Sequence, residues 1–453
     1  MLDTILYYIG SKNKERESKN REDKNREEIN LKAYINSKVS IFSEDSEKMR
    51  GEQKPSAFHF NKLNFTGASL PAIVLILAFI FTLSISLISS APPALAVDVS
   101  APAAILVEAE TGQVLYEKNA DKEHAPASIT KIMTMLLTME AVNAGELELD
   151  QKVIVSENAS SMGGSQIYLA EGEELTVREL LQATSIASAN DASMALAEAV
   201  AGSRKAFESR MNERAADLGM ENTNFSSPTG LPVENHYTTA RDTARMSREL
   251  IQYPRIREWS QIWTKNLELS DREAMLVNTN RLILSYPDLD GIKTGFTREA
   301  GFNLAASAER GGMRLISVVL GAENENERQR CTKNLLEYGF DNYRREKILS
   351  EGETLEGINI EGSRPGEVSV ETDTALYAVM DTGEEQETGY EITLKDEFEF
   401  PIAAGEMVGK AKSLVDDEIV HEVKIKAVED IKEAGIFHRI LRTIIGWFAG
   451  LLG

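Results

Sequence analysis

Ala127-Ser128-Ile129-Thr130-Lys131 places a serine three residues before a lysine. On a helix, positions i and i+3 share a face, so Ser128 Oγ and Lys131 Nζ can meet on one side. Pro126 lies just upstream, and Ile129, Ile132, Met133, Leu136 and Leu137 follow at apolar helical spacing. This pattern predicts Ser128 in the first turn of a buried helix. The free backbone N–H groups of such a turn, together with the helix dipole, favour negative charge that develops there. A serine held in that way can attack a carbonyl while a neutral lysine takes its proton. The same spacing at Ser11 and Lys14 sits in a charged tail that offers no pocket.

Two further segments follow in order. Ser188-Ala189-Asn190 lies at the junction of two helical stretches, and Lys293-Thr294-Gly295 opens a strand. Ser-x-Asn alone is a weak signal, since Ser18-Lys19-Asn20 and Ser156-Glu157-Asn158 match it too. The ordered set is specific: Ser-x-x-Lys, Ser-x-Asn and Lys-Thr-Gly together mark serine enzymes that form acyl intermediates with β-lactams and related peptides.

Composition narrows the chemistry. The chain has 453 residues and a formal net charge of −23, with 72 acidic against 49 basic side chains. No basic, aromatic-interleaved patch appears, so nucleic acid is not an expected partner. The single cysteine, Cys331, excludes an intrachain disulfide and reads as a small buried apolar residue. The five histidines are scattered, and neither His-Glu-x-x-His nor Cys-x-x-Cys occurs. No metal and no cofactor is therefore expected.

The chain divides by texture. Residues 1–69 are polar, and their mixed-charge part should be disordered or a lone solvated helix. Residues 70–96 hold an apolar run that ends in Ala94-Leu95-Ala96, the small-residue pattern of a secretory cleavage site. An uncleaved membrane span is the other reading of that run. Either one puts the remainder outside the cytoplasm. Met49, with Arg50, Lys54 and Lys62 after it, would begin a signal of more ordinary length than Met1 does.

Residues 97–345 read as one α+β domain. A hairpin is expected over Ala104–Glu117, turning at Thr111-Gly112. Helical stretches follow to about Pro254, and strands follow around Lys293, Phe302–Ser307 and Arg314–Gly321. A helix from about Glu325 to Tyr343 closes the unit. Strands at both ends imply a sheet that joins the N- and C-terminal parts. Residues 346–430 shift to short strands separated by turns and carry no catalytic cluster, which suggests a small all-β domain. In residues 436–453, Phe437, Ile440, Leu441, Ile444, Phe448 and Leu451 share one helical face, with Arg439 and Arg442 on another. This suits an amphipathic helix lying in a membrane interface.

The sequence resembles the D-alanyl-D-alanine carboxypeptidases, the low-molecular-mass penicillin-binding proteins, over roughly residues 97–453. Beyond the three motifs, Ala189-Asn190-Asp191-Ala192, Ala201-Gly202-Ser203, Thr239-Ala240-Arg241-Asp242 and Gly312-Met313-Arg314-Leu315-Ile316-Ser317 look like family segments. So does the order of signal, catalytic domain, β-domain and amphipathic end. The resemblance implies a β-lactamase/transpeptidase-like catalytic domain followed by the small all-β domain and the C-terminal helix. It implies a peptidoglycan stem peptide as substrate, β-lactams as inhibitors, and residence on the outer face of the bacterial cytoplasmic membrane, held through the C-terminal helix.

It also implies roles. Ser128 is the nucleophile, Lys131 its base and Ser188 a proton relay. Asn190 holds the substrate amide. Lys293, Thr294 and Gly295 bind the terminal carboxylate side, with Arg314 assisting. The backbone N–H groups of Ser128 and Phe296 form the oxyanion hole. Phe296 and the loop Ser227-Pro228-Thr229 stand where some members carry histidine. A serine β-lactamase and a non-catalytic β-lactam sensor are the competing functions. The window 222–228 lacks the glutamate that a class A β-lactamase uses in deacylation.

Overall fold

The computed structural model describes residues 97–435; the N-terminal extension, the apolar segment 70–96 and the amphipathic stretch 436–453 lie outside the described residues. Strand β1 (Ala103–Glu108) is buried along its whole length. It turns at Thr111-Gly112 into β2 (Val114–Lys118). A 3₁₀ turn (Ala127–Thr130) then leads directly into helix α1 (Lys131–Asn143). A short ladder of β3 (Lys152–Ile154) and β4 (Glu174–Thr176) brackets α2 (Glu157–Ser160). The helical region continues through α3 (Val177–Ile186), α4 (Asn190–Ala201), α5 (Arg204–Asp217), α6 (Ala240–Ile251) and α7 (Pro254–Ser260). A hairpin, β5 (Thr264–Glu268) and β6 (Glu273–Val277), precedes β7 (Leu289–Thr297), β8 (Gly301–Arg310) and β9 (Met313–Ala322). Helix α8 (Glu325–Asn342) follows.

Local signals set several boundaries. Thr176 and Glu179 form a reciprocal capping box at the start of α3. Helix α4 stops at Gly202, whose φ of +76° a side chain would resist.

The sheet order is β2-β1-β9-β8-β7, all antiparallel, so the first strands of the domain pair with its last. The strand period of two sorts the side chains. Ile105, Val107, Ile316, Val318 and Leu320 face a core built with α1, α3, α4 and α6. Ala104, Leu106, Leu315 and Val319 face the other side, where Cys331, Leu335 and Leu336 of α8 cover them. Each large apolar side chain fully buried in this way contributes about 1.5–3 kcal/mol. The α+β reading, with the sheet joining both ends, holds. The hairpin β5–β6 and the small β3–β4 ladder were not expected.

The C-terminal part starts with β10 (Tyr343–Leu349). It continues as β11 (Thr354–Asn359), β12 (Ser363–Arg364), β13 (Glu367–Thr372), β14 (Leu376–Asp381), β15 (Thr388–Leu394), β16 (Met407–Val415), β17 (Glu418–Ala427) and β18 (Lys432–Glu433). Five of them form a sheet in the order β11-β13-β17-β16-β15 around a separate core that includes Val368, Val370, Val408 and Ile425. Arg345 rivets this part to the first. It donates to the buried Glu108 carboxylate at 3.2 Å and lies over the Tyr377 ring at 4.1 Å.

Candidate active site

Ser128 sits in the 3₁₀ turn, not in the first turn of the α-helix as expected from spacing. The i, i+3 relation survives the change, because a 3₁₀ turn eclipses those positions more closely than an α-helix does. Lys131 Nζ lies 3.0 Å from Ser128 Oγ and donates to the Thr229 carbonyl at 2.6 Å. The residue that bends the turn is Ala127, whose φ is +49°. An alanine holds that conformation only if its surroundings impose it. Gly230 packs so tightly that a Cβ on it would stand 1.8 Å from the Ala127 carbonyl oxygen. The Thr130 hydroxyl donates to the same oxygen at 2.8 Å. On the sheet side, Asn303 Nδ2 donates to the Ala125 and Pro126 carbonyls at 3.1 and 3.2 Å.

Lys131 and Lys293 are both almost wholly buried, at 0 % and 1 % exposure. Burial, first, and the Lys293 charge hold the Lys131 amine well below the ordinary lysine range; the Asp191 carboxylate opposes this. Burial, and then the Arg328 guanidinium, lower Lys293 to about 7. The amine beside Ser128 is thereby shifted toward the neutral form, which is able to accept a proton.

The second motif lies between α3 and α4. Ser188 has φ +60° and is buried. Asn190 Nδ2 donates to the Gly163 carbonyl at 2.6 Å, and its Oδ1 is buried with no partner. A buried acceptor left open in this way is suited to a ligand N–H. Asp191, whose carboxylate accepts from the Ile167 and Leu169 amides at 3.0 and 3.1 Å, fixes the loop that runs past Asn190.

The third motif lies on β7, the edge strand of the sheet. Gly295 abuts the serine turn: a Cβ there would come within 2.9 Å of the Pro126 carbonyl oxygen and 3.2 Å of the Ile129 nitrogen. Strand and turn therefore approach backbone to backbone. Lys293 Nζ donates to the Thr294 carbonyl at 3.0 Å. The Thr294 hydroxyl donates to the Thr279 hydroxyl at 2.6 Å, and the Thr279 N–H donates to the Ile186 carbonyl at 3.2 Å, two residues before Ser188. Phe296 is exposed, with its ring centroid 4.4 Å from that of Phe302.

The structure brings Ser128, Lys131, Lys293 and Gly295 together; Thr294 and Phe296 flank them on β7, and Ser188 and Asn190 lie on the α3–α4 junction that Thr279 ties to Thr294. It corrects Arg314. That guanidinium pairs with Asp290 and Glu309 and donates to Ser307 Oγ at 2.9 Å. Arg314 stands opposite Glu309 beside the Gly311-Gly312 turn, whereas Lys293 lies across from Ala305 and Val318. Four residues along a strand is about 13 Å, so Arg314 belongs to the far end of the sheet.

The arginine near Lys293 is Arg328, which was not singled out from the sequence. It is 4 % exposed, and among the described residues its Nε has no partner and its one ion pair, to Glu325, is 3.5 Å long. Two chain reversals could have revealed it. β7 runs toward the site, β8 away and β9 back, so a residue just after β9 returns to the site end. Thr279 and Asn303 were likewise not anticipated, and Asp191 and Thr229, although their segments were singled out, had been given no role. The loop Ser227–Thr229 presents a backbone carbonyl to Lys131, not a glutamate.

Comparison with known proteins agrees with this geometry. A family model described as D-alanyl-D-alanine carboxypeptidase matches residues 88–324, and one for the C-terminal domain of penicillin-binding protein 5 matches residues 343–433. The chain is 42 % identical to D-alanyl-D-alanine carboxypeptidase DacF of Bacillus subtilis (strain 168), over 77 % of this chain and 90 % of that one. It is 32 % identical to DacC of Escherichia coli (strain K12), over 80 % and 92 %. The solved structure of penicillin-binding protein 5 from Haemophilus influenzae superposes with a TM-score of 0.64 at 28 % identity, covering 74 % of this chain and 98 % of the other. Motif order, a serine and a buried lysine in hydrogen-bond contact, and matches across both domains lead to one statement: this chain belongs to the D-alanyl-D-alanine carboxypeptidase family.

Proposed function

We propose that this chain removes the terminal D-alanine from peptidoglycan pentapeptide stems through an acyl-enzyme on Ser128. The observation that carries the reading is the buried Lys131 amine, 3.0 Å from Ser128 Oγ and shifted toward its neutral form. Ser128 Oγ attacks the carbonyl between the two D-alanines as its proton passes to Lys131 Nζ. The backbone N–H groups of Ser128 and Phe296 receive the oxyanion. The tetrahedral intermediate expels the D-alanine amine, which takes its proton through Ser188. Water then hydrolyses the ester and regenerates Ser128.

Asn190 Oδ1 accepts the substrate's amide N–H. Lys293, Thr294 and Arg328 bind the terminal carboxylate. Arg328 is suited to this because its guanidinium is buried beside Lys293 with an unpartnered Nε. β-Lactams acylate the same serine, in keeping with the likeness to a penicillin-binding protein. The apolar run 70–96 and the amphipathic stretch 436–453 support export and attachment to the outer face of the cytoplasmic membrane.

The test is release of free D-alanine from a diacyl-Lys-D-Ala-D-Ala peptide by the chain and by Ser128→Ala. Release that disappears in the variant supports the reading; no release from either protein rejects it.

A further inference from the structure

His236 makes two hydrogen bonds that define a direction. It is buried, and its ring packs 6.1 Å, centroid to centroid, from that of Phe225. The Ser226 backbone N–H lies 3.0 Å from Nδ1. A backbone N–H only donates, so Nδ1 is the bare nitrogen and Nε2 carries the proton. Nε2 lies 2.8 Å from Thr130 Oγ1, and the Thr130 hydroxyl hydrogen is directed to the Ala127 carbonyl. Nε2–H is therefore the donor to Thr130. The chain reads Ser226 N–H to His236, His236 to Thr130, and Thr130 to Ala127, with every donor used once.

The two ends of this chain matter to catalysis. Ala127, in the left-handed region, immediately precedes Ser128. Ser226 opens the loop that presents the Thr229 carbonyl to Lys131 and the Pro228 carbonyl to the Thr134 hydroxyl at 2.6 Å. The nucleophile turn and the loop that orients its base are thereby locked to each other through one imidazole.

We infer that His236 is a positioning residue for acylation: through Thr130 it holds the strained Ala127–Ser128 turn in register with the loop that orients Lys131. The inference rests on Ser128 and Lys131 being nucleophile and base. Burial lowers the imidazole to about 4, opposed by a backbone hydrogen bond at Asn224 and assisted by the Arg204 guanidinium, so it is neutral at working pH; the Ser226 N–H sets its tautomer. Arg204 itself donates to the Ser226 carbonyl at 3.1 Å.

The test is acylation by a chromogenic β-lactam, measured on the full chain with the encounter constant and the acylation rate constant resolved. His236→Phe fills the space without either hydrogen bond. It should lower the acylation rate constant about 10- to 100-fold, the cost of displacing a reacting group by up to an ångström. The encounter constant should stay within about twofold, since no group that binds substrate is removed. His236→Gln keeps a donor and an acceptor and should recover most of the rate. Thr130→Val should lose as much as His236→Phe, and the double variant should lose no more than either.

A native rate in folded Thr130→Val, or losses in the double variant that multiply, would overturn the proposal. So would no recovery in Gln. If His236→Phe does not fold, Thr130→Val decides alone. Ser128→Ala, run alongside, separates the two claims: an adduct on Ser128→Ala refutes the nucleophile, whatever the His236 variants do.

Discussion

Gly230→Ala should disable the enzyme while leaving most of it folded. Gly230 has φ +80°. A Cβ there would lie 1.8 Å from the Ala127 carbonyl oxygen, 2.4 Å from its carbon and 2.9 Å from Thr130 Oγ1. Two costs follow. An L-residue in the left-handed region costs about 1–2 kcal/mol. The contact with Ala127 cannot be relieved by a side-chain rotation, since the opposing atoms are backbone. To reach even about 3 Å, turn and loop have to part by about 1.2 Å, and a misplacement of that size at a reacting group costs about a hundredfold in rate. Gly202 supplies the control. It has φ +76° and nothing within 4 Å of a would-be Cβ, so Gly202→Ala bears the backbone cost without the clash. Acylation kinetics and thermal denaturation should be measured on both. Gly202→Ala should be destabilised by about 1 kcal/mol with native kinetics per folded molecule. Gly230→Ala should be destabilised further, with the acylation rate constant down about a hundredfold. Native kinetics in Gly230→Ala would refute the argument that this contact sets the nucleophile turn.

Two other predictions concern the buried cations. Lys131 must be neutral to accept a proton, and Lys293 must be charged to bind a carboxylate. The kcat/KM profile should therefore be bell-shaped: the acid limb reports protonation of Lys131, and the alkaline limb begins near pH 7, where Lys293 loses its charge as pH rises. The profile of Lys293→Arg should lack the alkaline fall, because a guanidinium stays charged; an unchanged fall would assign that limb elsewhere. Arg328→Gln and Arg314→Gln should separate binding from stability. Arg328→Gln should raise KM about tenfold or more while Tm holds or rises, because a buried cation with one long ion pair is relieved. Arg314→Gln strands the buried Asp290, so it should cost about 3 kcal/mol of stability and leave KM unchanged. The reverse outcome would put Arg314 back in the site.

The parts legible in the sequence were those written in local periodicity. Ser128 and Lys131 sit at a spacing that any helical turn brings together. The β1–β2 turn, the apolar faces of the strands and the burial of Cys331 follow from patterns of two and from residue type. The bend at Ala127 was not legible, because Gly230 and Asn303, which hold the turn together with the local Thr130 hydroxyl, lie next to it only after folding. Arg314 was misplaced for a different reason. A motif puts a residue on a strand, but the end of the sheet it occupies depends on how many reversals separate it from the site. Arg314 lies just past the second turn after Lys293, at the far end. Arg328 lies past one more strand, at the near end. The downward shift of Lys131 was foreseeable in direction once it was placed in a buried pocket beside a second cation, but the lowering of Lys293 by burial and by Arg328 was not.

The central claim, that Ser128 is the nucleophile and Lys131 its base, is tested most directly by locating the acyl group. The chain is incubated with benzylpenicillin, quenched in acid and digested with trypsin, and the masses of the peptides are read. The account predicts one adduct, on the peptide Glu123–Lys131 that contains Ser128, absent from Ser128→Ala and formed far more slowly in Lys131→Ala. An adduct on any other peptide, or one that forms at the native rate without Lys131, would contradict it.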